Sequence, residues 1–402
     1  MTAQTNYDLI IIGGGMVGAS LAVALKNSAL RIAVIEAFPN DSEQQPSFDD
    51  RGIALSYGSQ RIFESMGVWS QLASHSTAIS DIHVSDRGHF GITRLSAADE
   101  KVPALGQVIT AREMGNVLNK ALSQQANVEF ICPATIKTLQ QHDDFVEIEL
   151  HNSEKLSAKL LVAADGRDST VRQLLRLGAL ESDYKQTAII ANITTERPHK
   201  GKAFERFTDS GPLALLPMSD NRSSLVWTVK TGDETQLLAA SEADFLAQLQ
   251  DRFGYRLGRF LRAGQRHSYP LVLMRADQPV QHRIVLIGNA AHSLHPVTGQ
   301  GFNLGLRDVS ALADVLSNSS TDCGHPHVLH NYQQWRLQDQ DNVITMTDSL
   351  ITIFSNNDPL LGHCRGSALS ILDALPPVKH WLARKNMGLS RKQPRLSRGI
   401  SL

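Results

Sequence analysis

Tyr7-Asp8-Leu9-Ile10-Ile11-Ile12-Gly13-Gly14-Gly15-Met16-Val17-Gly18 is the stretch on which the fold turns. Its apolar run ends at glycine and reads as a buried strand. Met16 to Lys26 follows with Val, Ala and Leu at helical spacing. Arg31-Ile-Ala-Val-Ile-Glu36 reads as a second strand. Strand, helix and strand make a βαβ unit, which needs parallel strands and an α/β sheet. The glycines fit G-x-G-x-x-G. Gly13 allows the tight turn, Gly15 lets backbone approach a pyrophosphate, and Gly18 lets helix and strand pack closely. The helix start meets the phosphate charge with its N–H groups. Glu36 closes the second strand, where an acid binds ribose hydroxyls. An acid there favours FAD or NAD over NADP.

Two later segments repeat this style. Leu160-Leu-Val-Ala-Ala-Asp165-Gly166 runs from a strand into an acidic turn, then a helix through Arg172. Arg283-Ile-Val-Leu-Ile-Gly288-Asn289-Ala-Ala-His292-Ser-Leu-His295-Pro296 is a strand with polar groups at its end. Ligands of open α/β sheets bind at such ends. Gly299-Gln300-Gly301-Phe302-Asn303 opens a helix whose first N–H groups suit a group that becomes negative. Between these segments, 187–195, 203–208, 213–218 and 223–230 are short β-like runs that predict an antiparallel sheet. The expected organisation is a mixed α/β chain. A Rossmann-like FAD-binding domain would be built from residues 1–75, 104–182 and 272–332. An inserted antiparallel-sheet substrate domain would comprise 76–103 and 183–271, with a helical C-terminal region and basic tail over 333–402.

This ordered set of motifs resembles the FAD-dependent aromatic hydroxylases of the para-hydroxybenzoate hydroxylase superfamily, from about Tyr7 to Leu316. His83-Val-Ser-Asp-Arg-Gly88, Ala203-Phe-Glu-Arg-Phe-Thr208 and Gly211-Pro-Leu-Ala-Leu-Leu-Pro-Met-Ser-Asp220 are similar to its ubiquinone-biosynthesis, prenyl-methoxyphenol subgroup. The resemblance implies bound FAD, NAD(P)H as a transiently docked reductant, and O2 as co-substrate. A flavin C4a-hydroperoxide would carry one oxygen atom to the ring of a 2-polyprenyl-6-methoxyphenol. The cofactor performs that step while the protein orients the substrate and excludes water.

The resemblance also implies roles. Gly13, Gly15, Gly18 and Glu36 would hold the adenosine half of FAD. Arg51 would lie near the pyrophosphate, Gln107 on the ribityl side, and Asp165 where FAD and nicotinamide sites meet. Asn289 stands where many members carry aspartate; it accepts through its carbonyl oxygen without a charge. Pro296, Gly299, Gly301, Phe302 and Asn303 would line the flavin ring. Pro296 and His292 are the expected catalytic positions, with a packing role the alternative for the histidine. No metal is expected. Arg206, Arg222, His267 and Tyr269 read as surface or packing residues, with steering of a phenol the alternative. Phe204, Phe207, Leu215, Leu216 and Trp227 read as sheet core, with a wall for a polyprenyl tail the alternative, and the apolar set from Val343 to Phe354 as a packed helix, with tail binding or membrane contact the alternative.

Composition bounds the rest. Of 402 residues, 42% are hydrophobic and 20% charged, which excludes a disordered or fibrous protein. Three scattered cysteines, Cys132, Cys323 and Cys364, make no disulfide framework and fit a reducing compartment. The uncharged run Leu9 to Leu25 is preceded by Asp8 and broken by glycines, unlike a signal peptide. A cytoplasmic bacterial protein is expected, peripheral on the inner face of the membrane. From Ala374 onward there is no acid, but seven bases: Lys379, Arg384, Lys385, Arg391, Lys392, Arg395 and Arg398. With +7 there and −1 overall, the preceding residues carry −8. The tail is therefore read as a contact for an anionic membrane or another ubiquinone-biosynthesis protein, against plain solvation. Its deletion is expected to spare FAD binding. Nucleic acid is not an expected partner, because no binding motif accompanies the charge. The competing readings are a flavin ring hydroxylase of other regiochemistry or soluble substrate, a non-catalytic flavoprotein-like subunit, and an NAD dehydrogenase.

Overall fold

The computed structural model describes residues 6–39, 49–318, 322–354, 359–389 and 393–402. Arg391 and Lys392 of the basic tail lie outside the described residues. The first sheet is built around Tyr7–Ile12, which pairs in parallel with Ile32–Ile35 on one side and Lys155–Ala163 on the other. Val128–Ile131 and Ile284–Leu286 extend it, also in parallel. A hairpin, Ile136–Gln141 and Val146–Leu150, adds antiparallel to Lys155–Ala163.

Alternation divides the side chains between two cores. Leu9, Ile11, Val34, Leu160, Val162 and Val285 face the helices Met16–Ala24, Ala111–Ser123 and Gln300–Ser317. Ile10, Ile12, Ala33, Ile35, Leu161, Ala163, Ile284 and Leu286 face the hairpin side. Burial on both faces is why these strands read as continuous apolar runs.

The second sheet runs in the order His292–Ser293, His267–Ala276, Ala179–Thr195, Arg222–Lys230, Gly211–Met218, Lys202–Thr208, Asp81–Asp86 and Ile92–Ser96. Its neighbours are antiparallel except Lys202–Thr208 with Asp81–Asp86, which run parallel. That exception joins two distant chain segments, so no hairpin turn sets its direction. Ala179–Thr195 and His267–Ala276 run through residues 182–183 and 271–272 without a break. A small antiparallel sheet of Gly52–Ser56, Gly106–Thr110 and Thr77–Ile79 joins the two larger ones.

The C-terminal region forms helices Pro326–Phe354, Pro359–Ala374 and Pro376–Asn386. The last residues are no free arm. Leu396 and Ser397 are buried, and the Arg395 N–H donates to Asp314 at 2.9 Å. Arg61 donates to the Arg398 carbonyl. The Met387 carbonyl accepts from the Gly58 N–H at 2.8 Å. The tail thus packs against the cofactor domain, which bears on the expectation that its deletion spares FAD binding. Apolar side chains spaced among the basic residues (Ala383, Met387, Leu396) anchor it. Among the described residues, no helix is long and apolar enough to cross a membrane.

Candidate active site

The glycine turn is shaped by contacts that only glycine permits. Gly13 has φ +100°, and a Cβ there would sit 2.5 Å from the Ala164 carbonyl oxygen. A Cβ on Gly18 would lie 1.9 Å from the Gly13 carbonyl oxygen. Gly15 precedes the first helical residue, so its turn delivers the helix start into a cavity of about 1020 Å³. Glu36 ends the adjacent strand and accepts from the Gly14 N–H at 2.6 Å and the Phe38 N–H at 3.0 Å.

Gly13, Gly15, Glu36, Arg51, Asp165, Asn289, Pro296, Gly299, Gly301, Phe302 and Asn303 all line this one cavity. Five chain segments, remote in sequence, meet there. Arg51 pairs with Asp49 at 2.9 Å and lies over the Tyr269 ring at 5.4 Å. Asp165 accepts from the Val171 N–H at 3.1 Å through one oxygen. Its other oxygen is buried with no partner. Burial raises its pKa, with hydrogen bonds from Ser169 and backbone N–H groups opposing. Arg172 ties this turn to the Asn289 loop by donating to the Ala290 carbonyl at 2.9 Å and the Arg167 carbonyl at 2.6 Å.

Asn303 is a stitch as well as a lining residue. Its amide donates to Ala54 and Gly299 carbonyls at 2.8 and 2.6 Å. Its oxygen accepts from the Ser56 N–H and Ser59 hydroxyl at 2.8 and 2.7 Å. Phe302 stacks on Phe63 at 6.4 Å. A Cβ on Gly301 would meet no protein atom within 4 Å, so the space beside it belongs to the cavity.

Three expected residues lie outside the lining. Gly18 packs behind the turn. Gln107 bonds to Gln60 at 3.2 Å and Ser76 at 3.3 Å. His292 is buried and its Nε2 lies 2.7 Å from Asp308 Oδ2. The structure does not bring this histidine to the cavity. His295 is fully buried as well, and burial pushes its pKa down to about 3, leaving a neutral ring that accepts from the Val297 N–H.

Sequence reasoning missed the network behind the site. Asp308 is fully buried. It accepts from the Gly288 N–H at 3.1 Å, Arg336 at 2.7 Å and Gln340 at 2.9 Å. Arg336 passes to Asp339, then Arg307, then Gln300 at the helix start. Gln300 in turn donates to the Asn386 carbonyl at 3.1 Å. The available signal was Asp308 within a helix whose apolar residues, Leu306, Val309 and Leu312, are packed around it. The apolar residues serve both readings that the sequence left open. Leu215 and Trp227 pack in the core, Leu216 lines the cavity, and Phe204 and Phe207 do both. Val343, Ile344 and Ile351 are buried, while Met346, Leu350, Ile353 and Phe354 face the cavity.

The features fit FAD: a Cβ-free pyrophosphate turn, an acid at the end of the second strand, an orphaned buried carboxyl oxygen, and open space beside Gly301 at a helix start. Comparison with known proteins agrees. The FAD binding domain family matches residues 6–347. Ubiquinone hydroxylase UbiL of Rhodospirillum rubrum is 36% identical over 100% of this chain and 95% of its own length. The 3-demethoxyubiquinol 3-hydroxylase of Escherichia coli is 33% identical over 97% of this chain and 100% of its own. Among solved structures, p-nitrophenol 4-monooxygenase PnpA of Pseudomonas putida has the same fold. Its TM-score is 0.79 at 19% identity, over 97% of this chain and 100% of that one. An HpxO variant of Klebsiella pneumoniae complexed with FAD gives a TM-score of 0.75 at 17% identity, covering 94% and 99%. With a family match over most of its length and end-to-end relatives above 30% identity, the chain belongs to the FAD binding domain family, among the FAD-dependent aromatic-ring monooxygenases of the ubiquinone-hydroxylase kind.

Proposed function

We propose that this enzyme hydroxylates the ring of a prenylated phenol of the 2-polyprenyl-6-methoxyphenol type in ubiquinone biosynthesis. One observation carries the reading: a single cavity joins the glycine turn to an apolar wall that extends to the C-terminal helices. Leu369, Leu372, Leu382, Ala383 and Met387 form that far wall. A soluble aromatic acid would have no use for it, whereas an apolar tail would.

FAD, when bound, supplies the reductive activation of oxygen that the amino acids cannot. The residues do the holding. Glu36 would take the adenosine ribose, the Gly13 to Gly18 turn and helix start the pyrophosphate. Arg51 is the cation of that end. Asp165 offers its free oxygen to a hydroxyl. The Gly299 to Asn303 helix start would offer N–H groups to a ring that gains negative charge. Pro296 and Val297 wall the ring side of the cavity, and the apolar wall excludes water from it. His292 acts at a distance, holding the Gly288 loop through Asp308.

The test is product analysis with purified FAD-loaded protein, NAD(P)H, oxygen and a prenylated methoxyphenol. The expected product carries one added ring oxygen, and the position of that oxygen fixes the regiochemistry. Bound FAD with no hydroxylated product would sink this reading.

The same wall suggests how a tail arrives. Leu372 and Leu382 face the cavity, while Ile371, Val378 and Trp381 on the same two helices, and Leu375 between them, are exposed. Lys385 lies over the Trp381 ring at 5.1 Å. An exposed apolar set beside bases suits an anionic lipid surface. Deleting the tail is now a poor test, because it braces the site. Val378→Ser with Trp381→Ser is expected to weaken flotation with phosphatidylglycerol vesicles about fivefold or more, as about 1 kcal/mol or more of apolar insertion is lost. FAD content should be unchanged. Equal flotation would return these side chains to solvation.

A further inference from the structure

Glu205 lies in strand Lys202–Thr208, opposite Val84 on one neighbour and Ala214 on the other. Ala203 and Phe207 share its face of the strand by alternation. All five residues line the cavity. Phe207 stacks on Phe354 at 3.8 Å and packs with Val297, next to Pro296. Ala203 packs with Ile79, Leu95, Ala383 and Met387. Glu205 therefore stands between the Pro296 segment and the apolar end formed by the C-terminal helices.

It is an anomalous residue for that place. Its Oε1 is buried and has no hydrogen-bond partner. Leaving a carboxyl unpaired in an apolar wall costs stability. A residue selected for packing alone would be leucine or methionine. The other ionisable residues of the lining are Glu36, Arg51 and Asp165 toward the glycine turn, and Arg365, which is bound to Asp86 at 3.1 Å. No charged neighbour shifts the Glu205 titration.

We propose that Glu205 receives the polar head of the phenolic substrate and so fixes which ring carbon faces the cofactor. The inference rests on the prenylphenol reading and deepens it. Burial alone pushes the carboxyl up to about 8, so at neutral pH it is mostly protonated. A protonated carboxyl offers one acceptor and one donor side by side. A 2-methoxyphenol head carries a hydroxyl and a methoxy oxygen on adjacent carbons. The Glu205 carbonyl oxygen would accept from the hydroxyl, and its O–H would donate to the methoxy oxygen. Held there, the ring lies beside the Pro296 segment. Its prenyl chain passes Ala203 toward Leu372 and Leu382.

The experiment uses the full-length FAD-loaded protein and a farnesyl-chain 2-methoxyphenol. Binding is read from perturbation of the flavin absorbance, and coupling from the ratio of hydroxylated product to hydrogen peroxide. Glu205→Leu should raise Kd about tenfold or more, the effect of losing a buried hydrogen-bonding partner. It should also divert NAD(P)H oxidation to peroxide. Its thermal midpoint should equal or exceed that of the wild type, because a buried, unpartnered carboxyl oxygen is gone, so misfolding is excluded as the cause. Glu205→Gln keeps an acceptor and a donor and should stay within about threefold in Kd. Wild-type binding and coupling in Glu205→Leu would overturn the proposal. So would equal loss in the Gln and Leu variants. A wild-type protein whose flavin spectrum ignores every prenylphenol offered would overturn the substrate reading itself, and that arm tells the two failures apart.

Discussion

Gly18→Ala is expected to leave the protein folded but almost free of FAD. The added Cβ would sit 1.9 Å from the Gly13 carbonyl oxygen. That atom cannot step aside, because the Gly13 N–H is bonded to Ile35 and its backbone lies against Ala164. The helix Met16–Ala24 must therefore lift from the strand, opening the turn whose shape meets a pyrophosphate. Overpacking against backbone costs about 3 kcal/mol. If that cost falls on the bound geometry, FAD affinity drops about a hundredfold. Flavin absorbance per protein after gel filtration measures it, with far-UV circular dichroism as the control for folding. Wild-type flavin content would show that the turn does not carry the phosphate contact.

Asp308→Ala is expected to cost about 3–5 kcal/mol, because it takes one of two carboxylate partners from the buried Arg336 and frees Gln340, His292 and the Gly288 loop at once. For a chain of this length that is roughly 4–6 °C in thermal midpoint. A midpoint within about 1 °C of wild type would mean that the network relaxes without it. The pH dependence follows from the same residue. Burial alone would push the Asp308 carboxyl up, but the His292 ring and the Arg336 guanidinium outweigh it and hold it far below the ordinary carboxylate range. A depressed folded pKa gives stability that is complete above the unfolded value, near about 4. It is lost as pH falls through the folded value. Wild type should therefore shed this increment only in strong acid, while Asp308→Asn lacks it at every pH.

The parallel sheet was legible because strands buried on both faces leave continuous apolar runs, as in Leu9 to Ile12 and Leu160 to Ala163. The glycine turn was legible because backbone geometry forces the residue type. Side chains that act through tertiary partners left weaker traces. Nothing in the order of residues ties Asp308 to Arg336, or Gln300 to Asn386. His292 looked exposed to chemistry because it follows a motif loop, yet its ring turns inward to a carboxylate one helix away. Glu205 was hidden differently. Alternation along Ala203 to Thr208 sets Glu205 on one face with Ala203 and Phe207, but the order of residues does not say that this face looks into a cavity rather than a core.

The C-terminal brace also sets an order in time. Asn386 and Met387 hold the helix start and the Gly58 turn, and Leu396 and Ser397 close over the helices behind them. During synthesis, these bracing contacts form only after residue 397 has left the ribosome, although the glycine fingerprint is made among the first twenty residues. A chain cut short near its end is therefore expected to hold flavin less well than the finished enzyme, and its absorbance would show it.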